Sequence, residues 1–455
     1  MQARETELLA VGAGPSNLGL AVALEELAPE LAAGTLVTER RPAIEWQSGM
    51  LLPRAKSQVS FLKDLVTQRN PRSGYSFLAY LHATGRLDDF INMATFTPYR
   101  REMSGYLAWV ARSLALVRVE FGRDCASIRP RRDGTGALTG WLASFADGSS
   151  VASRHLVVGV GRDPHVPAVF TALPAARVVH SAWFRSAMAG LAPRDHYRVA
   201  VIGSSQSAAE MVRELPGMLP GASVTWIMRS VGPTADASSK FSNELYYPSF
   251  TDEFFAAPPR ARAEVLRQMH QTNYSCLTPQ TLQDLYSDRY LARLGGRRGT
   301  RVISMTDVTA AREEAAGVVL SLADRRTGAV REMGCDLVLL GTGFGTQMPR
   351  LVRELAGDLR LSQVAVTRSY RLITGERSAA ACYLQGVNEA THGISDSLLS
   401  VLARRAEDIT RDLLAHRAGQ DGAVSTGRTP PLLPGEALRG PPGGALLAGP
   451  DGGTA

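Results

Sequence analysis

"LLAVGAGPSN", residues 8–17, decides the fold, because an apolar strand-like run ends there in a glycine turn. The helix-like run LGLAVALEEL (18–27) follows at once. VAVIGSS (199–205) and QSAAEMVREL (206–215) repeat this arrangement about 190 residues later. A strand, a glycine turn and a helix are the first half of a βαβ unit. The two copies therefore predict an α/β protein with two Rossmann-like, doubly wound dinucleotide-binding domains.

The composition is that of a globular protein with more than one domain. The chain has 455 residues, of which 45% are hydrophobic and 20% charged, and this length exceeds one ordinary core. No apolar run reaches the roughly 20 residues of a membrane helix, and the first residues lack a signal-peptide pattern. The net charge of +7 is spread without a basic block, so we expect neither a nucleic-acid nor a membrane partner.

The cysteines are widely spaced and form no CxxC motif: Cys125, Cys276, Cys335 and Cys382. This pattern indicates neither a metal site nor a redox disulfide. A reducing compartment, the cytoplasm, is the expected location.

The first glycine turn reads Gly12-Ala13-Gly14-Pro15-Ser16-Asn17. Gly12 permits the tight turn, and Gly14 lets the backbone approach a pyrophosphate at the start of the helix. Asn17 stands where a third glycine is usual. Glu39 ends the next strand-like run, where a carboxylate can accept hydrogen bonds from ribose hydroxyls. These features suit FAD or NAD, and an ordinary strand–turn–helix is the alternative.

The second glycine turn carries the opposite charge. Ser205 replaces the second glycine of the turn that begins at Gly203, and Arg229 closes the strand-like run SVTWIMR (223–229). An arginine there can pair with a ribose 2′-phosphate, which an acid would repel. The second turn therefore suits NADPH, although Arg229 could also be a solvated strand end. FAD in the first turn and NADPH in the second is the arrangement of a flavoprotein that takes hydride from NADPH.

A lysine and an aspartate, Lys63 and Asp64, interrupt the apolar run SFLKDLV (60–66). A buried cation needs an anion. From the residues alone, the favoured interpretation is that Lys63 extends to solvent and pairs with Asp64 or a neighbour. The alternative is that an anionic ligand meets Lys63.

Long motifs follow one another along the chain, and together they resemble a known family. They resemble the N-hydroxylating monooxygenases of siderophore biosynthesis, the L-ornithine N5- and L-lysine N6-monooxygenases, over residues 7 to about 412. The chain departs at Gln47, where the family often has histidine, and at Ser205. The motifs are GAGPSNL (12–18), EWQSGMLLP (45–53), QVSFLKDLVTQRNP (58–71), YSFLAYL (75–81), GSSQSAAE (203–210), KFSNELYYP (240–248), TNYS (272–275), LGTGF (340–344) and THGISDSLLSVLA (391–403).

The glycine turns and the resemblance together imply a division of the chain into interleaved domains. A small, mostly helical substrate-binding region is expected at 236–295. The FAD-binding domain is expected at 1–167 and 335–417, the NADPH-binding domain at 168–235 and 296–334, and a disordered Gly- and Pro-rich tail at 418–455.

The resemblance also implies binding residues, and Lys63 is expected to hold the substrate α-carboxylate. The substrate-binding residues are Lys63, Asn243, Asn273 and Ser395. The FAD-binding residues are Gly12, Gly14, Pro15, Asn17, Glu39, Trp46, Gln58 and Ser395. The NADPH-binding residues are Gly203, Ser205, Gln206, Ser207, Arg229 and Tyr274. No residue is identified as a general acid or base. Ser395 or Asp396 is expected to cap a following helix, whose N-terminus would face the flavin.

The activity that the resemblance implies is N-hydroxylation of the side-chain amine of L-ornithine. NADPH would reduce FAD, and O2 would then give a C4a-hydroperoxyflavin that hydroxylates the amine. The product would serve the biosynthesis of siderophores or of other hydroxamate or N–N natural products.

Several alternatives stay open. L-lysine or a diamine could be the substrate, because a pocket distinguishes one methylene by only about 1–3 kcal/mol. A flavin monooxygenase that oxidises carbon or sulfur, and a flavin-binding scaffold without activity, are two further alternatives. Small-molecule amine and O2 are the expected partners, and a homo-oligomer, dimer or tetramer, is left open.

Overall fold

The computed structural model describes residues 3–296, 299–376 and 378–419. The tail expected to be disordered, 418–455, lies outside the described residues from position 420 onward. The strands are β1 (Arg4–Val11), β2 (Thr35–Glu39), β3 (Arg118–Phe121), β4 (Cys125–Arg132), β5 (Leu138–Phe145), β6 (Ser150–Val158), β7 (Val178–His180), β8 (Arg198–Ile202), β9 (Ser223–Ile227), β10 (Arg301–Ile303), β11 (Thr306–Glu314), β12 (Gly317–Asp324), β13 (Val330–Cys335), β14 (Leu337–Leu340) and β15 (Cys382–Leu384).

Helices connect these strands and form the segment between β9 and β10. They are α1 (Pro15–Leu27), α2 (Pro29–Ala33), α3 (Phe77–Ala83), α4 (Leu87–Asn92), α5 (Arg100–Ser113), α6 (Phe184–Ala189), α7 (Gln206–Met218), α8 (Lys240–Glu244), α9 (Pro248–Ala256), α10 (Pro259–Asn273), α11 (Pro279–Leu294), α12 (Arg350–Asp358), α13 (Glu389–His392) and α14 (Leu402–Arg417). Helices α8 to α11 lie within the region 236–295, which was expected to be mostly helical.

The first sheet is built around β1, the strand before the first glycine turn. Its order within the described ranges is β3-β2-β1-β6-β5-β4, and β15 also pairs with β6. β1 runs parallel to β2 and to β6, with Leu9 beside Leu36 and Leu156. These three leucines are completely buried, as is typical of central strands in a parallel sheet that is covered on both faces.

The second sheet is parallel and has the order β10-β9-β8-β14-β7, and β11, β12 and β13 form a separate antiparallel sheet. The predicted boundary at residue 335 is wrong, because β14 was placed in the FAD-binding domain and lies in the second sheet. Leu339 pairs with Val201 of β8 and Val179 of β7. All four residues of β14 are buried, and such a strand needs neighbours on both edges and cover on both faces.

The C-terminal helix returns the chain to the first sheet. Leu20 and Leu24 of α1 share a core cluster with Ile409 and Leu413 of α14. Each fully buried leucine or isoleucine contributes about 1.5–3 kcal/mol through removal of apolar surface from water. This packing places the residues before α14 beside the first glycine turn, although some 380 residues separate them in sequence.

The segment before α14 differs from the prediction. Ser395 and Asp396 lie in the 3-10 turn Ile394–Ser397, and α14 begins only at Leu402, without a side-chain cap. The capping prediction is therefore wrong. The reason is that the Asp396 carboxylate already accepts hydrogen bonds from Arg405 and from the Asn388 backbone N–H.

No helix within residues 3–296, 299–376 and 378–419 combines the length and the apolar character needed to cross a membrane.

Candidate functional site

The first glycine turn leaves an open face at the start of α1. Gly12 has a φ of +91°, and a Cβ there would lie 2.7 Å from the carbonyl oxygen of Gly159. A Cβ on Gly14 would meet no atom within 4 Å, and no side chain caps α1. The uncapped N–H groups and the free space beside Gly14 fit a diphosphate group, because the start of a helix attracts anions.

Glu39 and Asn17 occupy different sides of this turn. The Glu39 carboxylate accepts hydrogen bonds from the backbone N–H groups of Ala13 (2.9 Å) and Arg41 (3.1 Å), so it lies at the turn as the sequence predicted. Asn17 is completely buried. Its amide donates to the carbonyl oxygens of Val11 (3.0 Å) and Gly12 (2.7 Å). Asn17 therefore braces the backbone of the turn from the protein side.

The second glycine turn repeats this backbone geometry. Gly203 has a φ of +120°, and a Cβ there would collide with the carbonyl oxygen of Gly341. The same carbonyl accepts a hydrogen bond of 2.9 Å from the Ser205 hydroxyl, which lies 3.0 Å from the Ser207 hydroxyl. Ser205, at the position of the missing glycine, thus ties the turn to the end of β14.

The Gln206 side chain is hydrogen-bonded within the protein, whereas the Arg229 side chain is exposed to solvent. The Gln206 amide donates to Glu210 (3.0 Å) and Thr281 (2.8 Å) and accepts from the Thr278 backbone N–H (3.1 Å), so it joins α7 to α11. Arg229 is exposed just after β9. Among the described residues its guanidinium has neither an ion-pair nor a hydrogen-bond partner, so it is free to pair with an anion.

Lys63 ends the 3-10 turn Phe61–Lys63 and is half-buried. Its Nζ donates a 3.1 Å hydrogen bond to the Ser400 hydroxyl and lies 5.1 Å from the centre of the Tyr247 ring. Burial lowers the pKa of Lys63. In the part of the chain that the structure describes, no carboxylate lies within ion-pair distance of this ammonium group.

Asp64 does not pair with Lys63, so the favoured interpretation from the residues alone is wrong on this point. Asp64 is only 2% exposed. Its carboxylate accepts hydrogen bonds from the backbone N–H groups of Val66 (3.0 Å), Thr67 (2.7 Å) and Phe77 (2.7 Å). These bonds explain the acid inside an apolar run, because they satisfy a carboxylate that burial would otherwise destabilise.

A small apolar cluster brings the predicted substrate-binding elements together. Tyr246, Met269 and Ile394 form its buried part, and they join the end of α8, the end of α10 and the 3-10 turn that contains Ser395. Asn243 of α8 is exposed and Asn273, the last residue of α10, is half-buried. Lys63 contacts Tyr247, which follows α8, and Ser400, which follows the 3-10 turn that contains Ser395. Within the described residues, no hydrogen bond joins the predicted substrate-binding residues to one another.

Tyr274 belongs to a polar group that the sequence did not reveal. Its hydroxyl donates to Glu389 Oε2 (2.8 Å), and the Arg162 guanidinium donates to the same oxygen (2.9 Å). Burial, followed by the negative charge of Glu389, raises the pKa of Tyr274 to about 12. Tyr274 is therefore a protonated hydrogen-bond donor at neutral pH.

The remaining predicted residues differ in how far they are buried. Trp46 is half-buried, and its backbone N–H donates to the Ser104 hydroxyl (3.1 Å). Gln58 is exposed, Ser395 is 2% exposed, and Pro15 is the first residue of α1. Ser400 and Tyr247 were missed, although both lie inside quoted motifs, because no sequence signal pairs them with Lys63.

The model of one protein family covers most of the chain. That family is described as L-lysine 6-monooxygenase/L-ornithine 5-monooxygenase, and its model matches residues 4–346. The chain belongs to this family. The resemblance stated from the motifs is therefore confirmed, as is the expected α/β fold with two dinucleotide-binding domains.

Curated relatives share the family over nearly their whole length. An L-ornithine N(5)-oxygenase of Arthrobotrys oligospora is 36% identical over 434 residues, which cover 90% of this chain and 89% of the fungal protein. An L-ornithine N(5)-monooxygenase of Pseudomonas aeruginosa is 36% identical over 417 residues, covering 90% of this chain and 94% of the relative.

Solved structures of this family have the same fold. Ornithine hydroxylase PvdA of Pseudomonas aeruginosa superposes with a TM-score of 0.84 at 36% identity, over 90% of this chain and 99% of PvdA. The Kutzneria sp. 744 ornithine N-hydroxylase KtzI, solved with reduced FAD, NADP⁺ and L-ornithine, has a TM-score of 0.83 at 33% identity, over 91% of this chain and all of KtzI.

Proposed function

We propose that this protein N-hydroxylates the side-chain amine of L-ornithine with FAD, NADPH and O2. The observation that carries the proposal is Lys63, a half-buried ammonium group that hydrogen-bonds a neutral hydroxyl and has no carboxylate partner among the described residues. An amino-acid substrate brings the missing anion. Asn243 and Asn273 supply neutral hydrogen-bonding groups on the neighbouring helix ends.

The two glycine turns support the cofactor assignment. Gly14 and the uncapped start of α1 would hold the FAD diphosphate, and Glu39 would accept from the ribose. Arg229 would pair with the 2′-phosphate of NADPH beside the turn at Gly203. FAD and NADP⁺ are both present in KtzI. When bound, FAD would supply the redox chemistry: it would take hydride from NADPH and activate O2, one atom of which goes to the amine and the other to water.

The chain's own residues would bind, orient and shield. Lys63 would fix the α-carboxylate and thereby direct the other end of the substrate into the protein. The reacting amine must be neutral, although an alkylamine has a pKa of about 10.4 in water. Removal from water lowers that pKa, so a bound substrate whose amine is shielded from solvent would be neutral without a dedicated general base.

Ornithine is the proposed substrate because the two curated relatives and the two solved structures quoted above are ornithine enzymes. Lysine remains the second candidate, since a Pseudomonas syringae L-lysine 6-monooxygenase superposes with a TM-score of 0.79 at 30% identity. Lys63 would serve either amino acid. A diamine has no carboxylate for Lys63 to bind, so diamines are the third candidate.

The test is product analysis with the purified FAD-loaded protein, NADPH and O2. Ornithine, lysine and putrescine are supplied separately, and hydroxylamine products and NADPH consumption are measured. We expect N5-hydroxyornithine in near-equal amount to NADPH consumed. Efficient hydroxylation of putrescine without hydroxyornithine would overturn both the substrate and the role of Lys63.

We further propose a cytoplasmic homo-oligomer, either a dimer or a tetramer. All four cysteines are free and buried, which suits a reducing compartment. An exposed apolar stripe on α11, formed by Tyr286, Tyr290 and Leu294, supports association, because such stripes favour contact with another surface. Light scattering on the purified protein measures the oligomeric state, and a monomer at micromolar concentration would contradict the proposal.

A further inference from the structure

Arg405 is a buried guanidinium that reaches the first glycine turn from α14. It is 1% exposed. Its Nε donates to Gln385 (3.0 Å), its Nη1 donates to the Asp396 carboxylate (3.0 Å), and its Nη2 donates to the Ser16 hydroxyl oxygen (2.8 Å). The ion pair with Asp396 compensates the positive charge of the buried Arg405. The bond to Ser16 is an additional contact, directed at the second residue of α1.

This contact determines the direction of the Ser16 hydroxyl. A guanidinium can only donate, so the Ser16 oxygen is the acceptor and its hydrogen must point elsewhere. Within the described ranges, the Ser16 hydroxyl donates to no protein acceptor. Ser16 is partly exposed, and it lies two residues beyond Gly14, where the structure leaves open space. The unused donor therefore belongs to the face of α1 that suits an anion.

We propose that Ser16 donates a hydrogen bond to the FAD diphosphate and that Arg405 is the positioning residue that fixes Ser16 as a donor. The inference rests on the proposed function, since it assumes that FAD occupies the first turn. Arg405 would not touch FAD. It would act by donating a hydrogen bond to the Ser16 hydroxyl oxygen, so that the Ser16 O–H is left to donate to the diphosphate.

The network around Arg405 also reaches the region of the substrate. The Gln385 amide donates to Asn17 (2.8 Å), which braces the first turn, and Asp396 lies in the 3-10 turn that contains Ser395. Arg405 thus joins the diphosphate end of the first site to the segment beside α8 and α10. A neutral side chain at position 405 would leave the buried Asp396 carboxylate without an ion-pair partner, which is strongly destabilising, so the test uses only a charged replacement.

The first measurement is FAD affinity in the full-length protein. The FAD-loaded protein is diluted, and the fluorescence of released FAD gives the dissociation constant. Ser16→Ala keeps the Arg405–Asp396 pair and removes the donor, so we expect the dissociation constant to rise about 10-fold or more. Ser16→Thr keeps a hydroxyl and is expected to stay within about 3-fold of the wild type. An unchanged affinity in Ser16→Ala would overturn the proposal.

The second measurement separates positioning from general stability through a double-mutant cycle. Arg405→Lys keeps the charge beside Asp396 and is expected to weaken FAD binding in the wild type. It should have little effect on FAD affinity in the Ser16→Ala background, because the same hydrogen bond is already lost. An equal loss in both backgrounds would show that Arg405 only supports the fold, and would overturn its positioning role. If Arg405→Lys does not fold, a crystal structure of the FAD-loaded wild type decides the role of Arg405. The Ser16 oxygen is expected within hydrogen-bond distance of both Arg405 Nη2 and a FAD phosphate oxygen, and a Ser16 side chain turned away from Arg405 would overturn the positioning role.

Failure of the inference is distinguishable from failure of the proposed function. If the wild type retains FAD and forms hydroxyornithine while Ser16→Ala retains FAD equally well, the inference alone is wrong. If the wild type binds no FAD, the proposed function is wrong and the inference falls with it.

Discussion

The two glycine turns share a backbone and differ in what surrounds it. Gly12 N–H donates to the Thr38 carbonyl (2.8 Å), and Gly203 N–H donates to the Ile227 carbonyl (3.0 Å). In each turn the carbonyl of another glycine lies where a side chain would project. The charge that follows is opposite, since Glu39 ends β2 and Arg229 follows β9. The same backbone turn is therefore followed by opposite charges in the two sheets, which fits the proposed binding of FAD at the first turn and NADPH at the second.

The surroundings suggest one turn that keeps its ligand and one that exchanges it. Glu39 already bonds the Ala13 N–H, and the buried Arg405 fixes Ser16 in the same turn. These groups are held before any ligand arrives, which lowers the entropic cost of binding. Arg229 is exposed and has no partner among the described residues. Its long side chain must be ordered at each binding event, which suits a co-substrate that enters and leaves.

The largest effect on stability and FAD content is expected from adding a side chain to the first glycine of a turn, Gly12 or Gly203. Gly12→Ala would force a left-handed φ and a collision with the Gly159 carbonyl, so we expect a loss of at least about 2 kcal/mol of unfolding free energy and of bound FAD. Gly14 has an ordinary φ of −73° and open space beside it. The control Gly14→Ala should therefore keep its stability and lose only FAD affinity. Urea unfolding and flavin content measure both, and wild-type stability of Gly12→Ala would contradict the account.

Arg229→Ala removes the positive charge that distinguishes the second turn from the first. A charged hydrogen bond contributes about 1.5–3 kcal/mol, so the dissociation constant for NADPH should rise about 10- to 100-fold while that for NADH changes little. The matched control is Arg331→Ala, which removes another exposed arginine on β13. Rapid-mixing kinetics of flavin reduction give both constants. Equal losses for NADPH and NADH would remove Arg229 from the 2′-phosphate site.

Lys63 is a second cation with no carboxylate partner among the described residues, and it is half-buried. Because the pKa of Lys63 is lowered by burial, its charge is present below the lowered pKa and is lost as pH rises through it. Substrate binding that depends on this charge should weaken above that pH. Lys63→Arg stays charged and should show a flatter profile. Ornithine titrations from pH 7 to 10 compare the two proteins, and parallel profiles would contradict the carboxylate role.

Glu39→Gln is expected to have the smallest effect. Its amide oxygen still accepts hydrogen bonds, but the charge is lost, so FAD affinity should fall by only about 2- to 10-fold. NADPH affinity should not change. FAD dissociation measured by fluorescence provides the comparison, and a loss of NADPH affinity of similar size would show that the two turns do not bind separate ligands.

The sequence predicts the turns well, because a positive φ and a close backbone contact restrict Gly12 and Gly203 to glycine. It does not predict the neighbours of a strand. β14 reads as a buried strand before a glycine turn, but an apolar run does not show which sheet it joins. The helix α14 carries the adjacent pair Arg404–Arg405, which looks like a charged surface. Only the folded chain shows that Arg405 is buried and faces Ser16.

The same limit applies to the substrate region. The motifs predict Lys63, Asn243 and Asn273, whereas Ser400, Tyr247 and Glu389 become relevant only through distances between segments that lie far apart in sequence. Asp396 was expected to cap a helix because its residue type favours that position. The Asp396 carboxylate instead pairs with the buried Arg405, since a buried charge must be paired.

A crystal structure of the FAD-loaded protein with NADP⁺ tests the division between the two turns most directly. The account predicts the FAD diphosphate beside Gly14, within hydrogen-bond distance of the Ser16 hydroxyl, and the 2′-phosphate of NADP⁺ within hydrogen-bond distance of Arg229. A 2′-phosphate at the first turn, or one bound away from Arg229, would contradict it.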